Sequence, residues 1–219
     1  MNNAWTPVEQ DKEWFPKAKW LDRHAGHVAP TQRDGINVLF LGDSITEGWV
    51  GVPDIWQREF APLGAANYGI SGDETQHVLW RLQNGAVAGL NPKVLSLLIG
   101  TNNIGNSRHT AAETIQGIRA VVADLRRRLP ATRILLHAIF PRDRHADTEF
   151  RRTIATVNTD IATLADNQHI LWFDIGSIFL EPDGFNPGHV MVDALHLAPE
   201  GYARWAVKLA PELRRLLAL

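Results

Sequence analysis

The stretch "INVLFLGDS", Ile36 to Ser44, sets the reading of the whole chain. From Val38 to Leu41 every residue is apolar, and the run stops at Gly42. A short apolar run without polar alternation fits a strand buried on both faces. Similar runs return in "AANYGISG" (65–72), "KVLSLLIGTNN" (93–103), "RILLHAIFPR" (133–142) and "HILWFDIGSIF" (169–179). Helical patterns lie between them. One is "DETQHVLWRLQNGAVAGL" (73–90). In the next, Ile115, Ile118, Val122, Leu125 and Leu129 recur on one face, after a capping box of Thr110 and Glu113. Phe150, Ile154, Val157, Ile161 and Leu164 repeat the pattern. A last helix opens at Pro199 and carries Tyr202, Trp205, Leu209, Leu213 and Leu216, and Pro211 is expected to kink or break it. Strands alternating with helices imply parallel crossovers, and hence a three-layer α/β/α sandwich.

The chain has 219 residues, 45% of them apolar, which suits one domain with a full core. Residues 1–34 are expected to form an N-terminal arm, and residues 35–219 the single domain. In the arm, Trp5, Trp14, Phe15 and Trp20 are expected to lie against the body or a second subunit. The net charge is −2 and no basic stripe is visible, which argues against nucleic acid as a partner. Arg126, Arg127 and Arg128 sit at a helix end, where cations suit the dipole. There are no cysteines, so disulfides and thiolate chemistry are excluded. The start of the chain lacks a signal-peptide pattern, and no window is apolar enough to span a membrane. A cytoplasmic location is the resulting expectation.

Ser44, Gly72 and Asn102 all fall at expected carboxyl ends of strands, where open α/β sheets bind ligands. A serine at a strand end is commonly a turn former or helix cap. As a nucleophile it needs a base within hydrogen-bond reach, and that base needs an orienting partner. "DALH" supplies such a pair. Asp193 lies three residues before His196, a spacing that puts both side chains on one face of a helical turn. Acyl transfer also needs donors aimed at the developing oxyanion. "GISGDE" offers a flexible backbone at Gly72, with Asp73 and Gln76 able to cap the next helix, and "GTNN" offers the carboxamides of Asn102 and Asn103. The first of these is no Walker loop, and its acidic residues would repel phosphate. His24 and His27 form an H-x-x-H without a third ligand, so no metal is expected. His137, inside a strand, reads as a core residue. Asp43 reads as a bonding partner for turn amides.

Taken together, "GDS", the Gly of "GISGD", the first Asn of "GTNN" and "DALH" resemble, in order, the motifs of the SGNH hydrolases, the GDSL esterase/lipase family. "NYGISGDETQHVLWRLQNG", "GTNN" and "FPR" are similar to its platelet-activating-factor acetylhydrolase Ib type. Ile45 stands where the family often has Leu. The resemblance implies a flavodoxin-like sheet of five parallel strands, order 2-1-3-4-5, and no cofactor. It implies Ser44 as nucleophile, His196 as base and Asp193 as its orienting group. The Ser44 and Gly72 amides and the Asn102 side chain would form an oxyanion hole. Ile45 and Leu195, beside the reacting pair, are candidates for walls of the acyl pocket. The expected reaction is hydrolysis of short-chain, acetyl-type esters of a small molecule. Related acetylhydrolase subunits pair, so a homodimer is a candidate assembly. Two alternatives stay open: deacetylation of sugars, with Trp49 and Trp56 either stacking on the ligand or packing, and a non-catalytic α/β binding module.

Overall fold

The computed structural model describes residues 3–29 and 35–218. The expected arm boundary after residue 34 lies outside the described residues. Five strands form one sheet: β1 (Val38–Gly42), β2 (Ala65–Gly69), β3 (Val94–Leu98), β4 (Arg133–His137) and β5 (Ile170–Phe173). The order is β2-β1-β3-β4-β5 and every pairing is parallel. The expected flavodoxin-like sheet is therefore present.

Side-chain alternation within apolar strands feeds two cores. Leu39 and Leu41 of β1, Leu95 and Leu97 of β3, and Ile134 and Leu136 of β4 face one layer. That layer contains α4 (Thr75–Gln83), α6 (Ala111–Arg128) and α7 (Glu149–Ile161). Val38, Phe40, Val94, Leu98 and Leu135 face the other, where α8 (Pro199–Leu217) packs beside α3 (Pro53–Glu59). Successive apolar residues of β1, β3 and β4 thus bury surface on one side or the other, which is why these runs lack regular polar alternation.

Three sequence expectations change. The arm contains a helix, α1 (Lys17–Val28), although its sequence showed no steady periodicity. Only Trp20 and His24 of α1 are buried, so there is no apolar stripe to read. Trp20 is buried and Phe15 nearly so, both against Ile70, while Trp14 is 61% exposed. The arm's buried apolar groups are thus satisfied by this chain itself. The helix expected over 73–90 ends at Gln83, and Gly85 turns the chain at φ +94°. Finally, α8 continues through Pro211. The proline deprives the Val207 carbonyl of its helical donor. Val207 is 70% exposed, so water can take that bond.

Other local expectations are met. The capping box of Thr110 and Glu113 starts α6, and Arg126, Arg127 and Arg128 occupy its last turn. Trp49 is fully buried among Phe60, Tyr202 and Trp205, and half-buried Trp56 packs on Phe40 and Phe60. Packing accounts for both rings. His137 is buried and bonds Ser96 Oγ at 2.8 Å. Among the described residues, no helix is long and apolar enough to cross a membrane.

Candidate active site

The carboxyl ends of β1, β2 and β3 lie side by side, with Gly42 in register with both Gly69 and Leu98. Gly42 has no room for a side chain, since a Cβ would strike the Leu98 carbonyl and Thr46. The chain can therefore turn sharply at once into the short helix α2 (Ser44–Glu47). Asp43 caps this turn, its Oδ1 accepting from the Ile45 amide at 2.9 Å. Tyr202 of α8 donates to the Ile45 carbonyl at 2.8 Å, tying the turn to the far layer. Ser44 is thereby presented, half-buried, at the sheet edge.

His196 Nε2 lies 2.9 Å from Ser44 Oγ, across 152 residues of chain. His196 Nδ1 lies 2.7 Å from Asp193 Oδ2. The spacing of three works here, but not through a helical turn. Residues 192–196 form an irregular loop in which Ala194 is left-handed at φ +65°. Asp193 Oδ1 accepts from the amides of Leu195 (3.1 Å) and His196 (2.7 Å), folding the loop around one carboxylate. An antiparallel bridge between Met191 and Leu197 closes the loop. Arg144 braces it from outside by donating to the carbonyls of Met191 (2.9 Å) and Val192 (2.7 Å).

The electrostatics fix the proton pattern. Burial pushes the Asp193 carboxyl up, but the amide and ring of His196 and the Leu195 amide outweigh it and hold it below its usual value. An ionised carboxylate only accepts, so Nδ1 carries the ring hydrogen. In the neutral ring, Nε2 is then free to accept from the serine hydroxyl. Asp43 behaves differently. Burial pushes its pKa up to about 7, against the opposing pull of the Ile45 amide and of His196. Its Oδ2 has no partner among the described residues.

Gly72 is the third residue of a turn closed by Asp73 N and the Ile70 carbonyl (3.1 Å), and its φ is +79°. That conformation suits glycine. Asn102 lies in α5 (Thr101–Gly105) and is nearly buried. Its Nδ2 donates one hydrogen to the Asp73 carbonyl at 3.0 Å, and its Oδ1 accepts from Asn106 at 3.2 Å. Among the described residues, the Ser44 and Gly72 amides and the second Asn102 amide hydrogen meet no acceptor. Asn103 plays a separate part, binding Thr75, Gln76 and His109. Ile45 is 2% exposed within the α8-side core, and Leu195 is half-buried against the same cluster.

The expected cap of α4 is different. Glu74 and His77 form a reciprocal capping box, not Asp73 and Gln76. Asp73 is buried instead with Arg81 (2.6 Å) and Trp20 Nε1 (2.7 Å). Burial pushes its pKa up to about 6, opposed by these two partners. His24 bonds the Asn84 carbonyl and His27 stacks on Tyr68. Among the described residues, no three His, Cys, Asp or Glu side chains gather as a metal set. Sequence reading also passed over Glu47, Gln10, Lys12 and Arg144. Glu47, three residues after Ser44, was within reach: it accepts from the Ser71 amide at 2.9 Å and pairs with Arg23.

The GDSL-like Lipase/Acylhydrolase family matches residues 40–204. Platelet-activating factor acetylhydrolase IB subunit alpha1 of Pongo abelii is 37% identical over 201 residues, 91% of this chain and 85% of that protein. The subunit alpha2 of Rattus norvegicus is 36% identical over 200 residues, again 91% of this chain and 85% of its own. An acetylxylan esterase from Geobacillus stearothermophilus, 20% identical, has a TM-score of 0.64 and covers 83% of this chain and 95% of its own. At that identity the likeness speaks for the fold alone. The chain belongs to the GDSL-like lipase/acylhydrolase (SGNH) family, and by that membership it is a carboxylic ester hydrolase.

Proposed function

We propose that the protein is a serine esterase for short-chain, acetyl-type esters, working through Ser44, His196 and Asp193. One observation carries this reading: a continuous hydrogen-bond chain from Ser44 Oγ to His196 (2.9 Å) and on to Asp193 (2.7 Å) at the carboxyl edge of the sheet. Ser44 Oγ attacks the ester carbonyl while its proton passes to His196 Nε2. Asp193 stabilises the imidazolium that forms. The carbonyl oxygen, now negative, takes hydrogen bonds from the Ser44 and Gly72 amides and the free Asn102 hydrogen. Collapse breaks the ester bond. The alcohol leaves with the proton from His196, and water, activated by the same ring, hydrolyses the acyl-serine.

The acetyl preference is supported by relatives whose names specify acetylhydrolase. Sugar deacetylation is less favoured, since Trp49 is fully buried and half-buried Trp56 packs on Phe40 and Phe60. Release of p-nitrophenol from its acetate by wild type, lost in Ser44→Ala, tests the esterase reading. Faster acetate release from acetylated xylooligosaccharides than from simple acetyl esters would favour the sugar reading instead.

A further inference from the structure

The loop carrying Gly72 is gripped from outside by the N-terminal segment. Thr75 Oγ1 donates to the Ala4 carbonyl at 2.6 Å, and the Val8 amide to the Gln76 carbonyl at 3.3 Å. Gln10 Nε2 donates to the Ser71 carbonyl at 3.2 Å. Lys12 Nζ donates to the Gly72 carbonyl at 2.6 Å and pairs with Glu74 Oε1 at 3.0 Å. The Trp14 ring lies 2.6 Å from where a Gly72 Cβ would stand. The grip itself is held in place. Lys12 and Phe15 bond each other's backbone, and Phe15 and Trp20 are buried against Ile70.

This arrangement acts on a particular N–H. A peptide group is planar, so anchoring its carbonyl also aims the N–H on its other side. The Gly72 N–H belongs to the peptide whose carbonyl, that of Ser71, is held by Gln10. The next carbonyl, that of Gly72, is held by Lys12. Both peptides flanking the Gly72 Cα are therefore anchored to the arm, at the residue type with the widest backbone freedom. Lys12 carries three donors, and it gives one to Glu74 and one to the Gly72 carbonyl. The Lys12 ammonium also brings positive charge close to the site: it pulls down the pKa values of both Asp43 and Asp73.

We propose that Gln10 and Lys12 are positioning residues that aim the Gly72 amide at the oxyanion, so that the N-terminal segment is part of the catalytic apparatus. The proposal rests on the reading of Gly72 as an oxyanion donor. Electrostatic stabilisation depends on donors fixed before charge develops, and a loosened donor costs rate while leaving ground-state binding nearly untouched.

The experiment is steady-state kinetics on p-nitrophenyl acetate with the full chain, alongside melting curves. Gln10→Met removes the donor to Ser71 at similar volume, together with an oxygen, Oε1, that is buried and has no partner among the described residues. Lys12→Met alone would take away the ammonium paired with Glu74, whose side chain is 1% exposed, so the informative variant is Lys12→Met with Glu74→Gln. Both Gln10→Met and this double variant are expected to lose about 10-fold to 10²-fold in kcat, with KM within about 2-fold of wild type. Lys12→Arg is expected to recover part of the rate, since a guanidinium can donate to the same carbonyl. Unchanged kcat in Gln10→Met and in the double variant, with only the melting temperature lowered, would overturn the proposal. So would a double variant as active as wild type when Lys12→Met alone is impaired, because the lysine would then serve only to neutralise Glu74. If Ser44→Ala keeps wild-type turnover, the site reading itself fails and the positioning role falls with it.

Discussion

Replacing Asn102 separates chemistry from packing. Of its two amide hydrogens, one is used by the Asp73 carbonyl at 3.0 Å and the other meets no acceptor among the described residues. Asn102→Ala should therefore have two effects that can be measured apart. The first is structural: a buried carbonyl loses its donor, at a cost of about 1–3 kcal/mol. For a domain of this size each kcal/mol lowers Tm by roughly 2–4 °C, so a fall of several degrees is expected. The second is kinetic. The free hydrogen can strengthen its bond only as the carbonyl oxygen gains charge, so its loss should lower kcat and leave KM nearly unchanged. One lost oxyanion donor costs about 10²–10³-fold, or roughly 3–4 kcal/mol of transition-state stabilisation. Activity should not vanish, because the Ser44 and Gly72 amides remain. Asn102→Asp should be at least as damaging, since it sets a carboxylate against the oxyanion and close to buried Asp73. The assay is kcat and KM on p-nitrophenyl acetate at a temperature well below both melting points. An Asn102→Ala protein with lowered Tm and near-wild-type kcat would refute the reasoning, leaving Asn102 as a brace for the Asp73 loop.

Other outcomes follow from the same geometry. Asp43 keeps its proton up to about pH 7 in the fold, while an exposed aspartate loses it near pH 4. The folded state therefore binds more protons between those values, and this group makes stability fall as pH rises through that window. Asp43→Asn keeps the acceptor for the Ile45 amide, so its melting temperature should decline less than that of wild type between about pH 4 and pH 7; an equal decline would show that the Asp43 proton is not held. Trp20→Phe removes the donor to Asp73 Oδ1 from a fully buried site and should destabilise the chain by about 1–3 kcal/mol in urea unfolding, whereas no loss would place the arm outside the cooperative unit. Acetyl esters should be better substrates than esters of eight or more carbons, and a steady rise of kcat/KM from acetyl to octanoyl would contradict the short-acyl reading.

The sheet was legible because burial on both faces leaves a plain mark: Leu39 and Leu41 serve one core while Val38 and Phe40 serve the other, so the whole strand is apolar. Helix α1 was not legible, because half of its twelve residues are charged or histidine, only Trp20 and His24 are buried, and its attachment depends chiefly on Trp20. Pro211 misled for a related reason, since a broken helical bond costs little where the orphaned carbonyl belongs to exposed Val207. At the candidate site, the Asp193–His196 spacing was readable, but the geometry was not. A carboxylate folding the loop through two amides gives the same spacing as a helical turn. Gln10 and Lys12 left no sequence signal, because they meet Ser71 and Gly72 across 61 and 60 residues of chain. Contacts of that range come from the topology, and local pattern carries no trace of them.

The central claim is that Ser44 is the nucleophile. Its most direct test is to treat the wild-type chain with a fluorophosphonate and locate the adduct by peptide mass spectrometry. The expected result is one phosphonyl group on Ser44, absent from Ser44→Ala and formed much more slowly in His196→Ala. An adduct on another serine, or esterase activity that survives in Ser44→Ala, would contradict it.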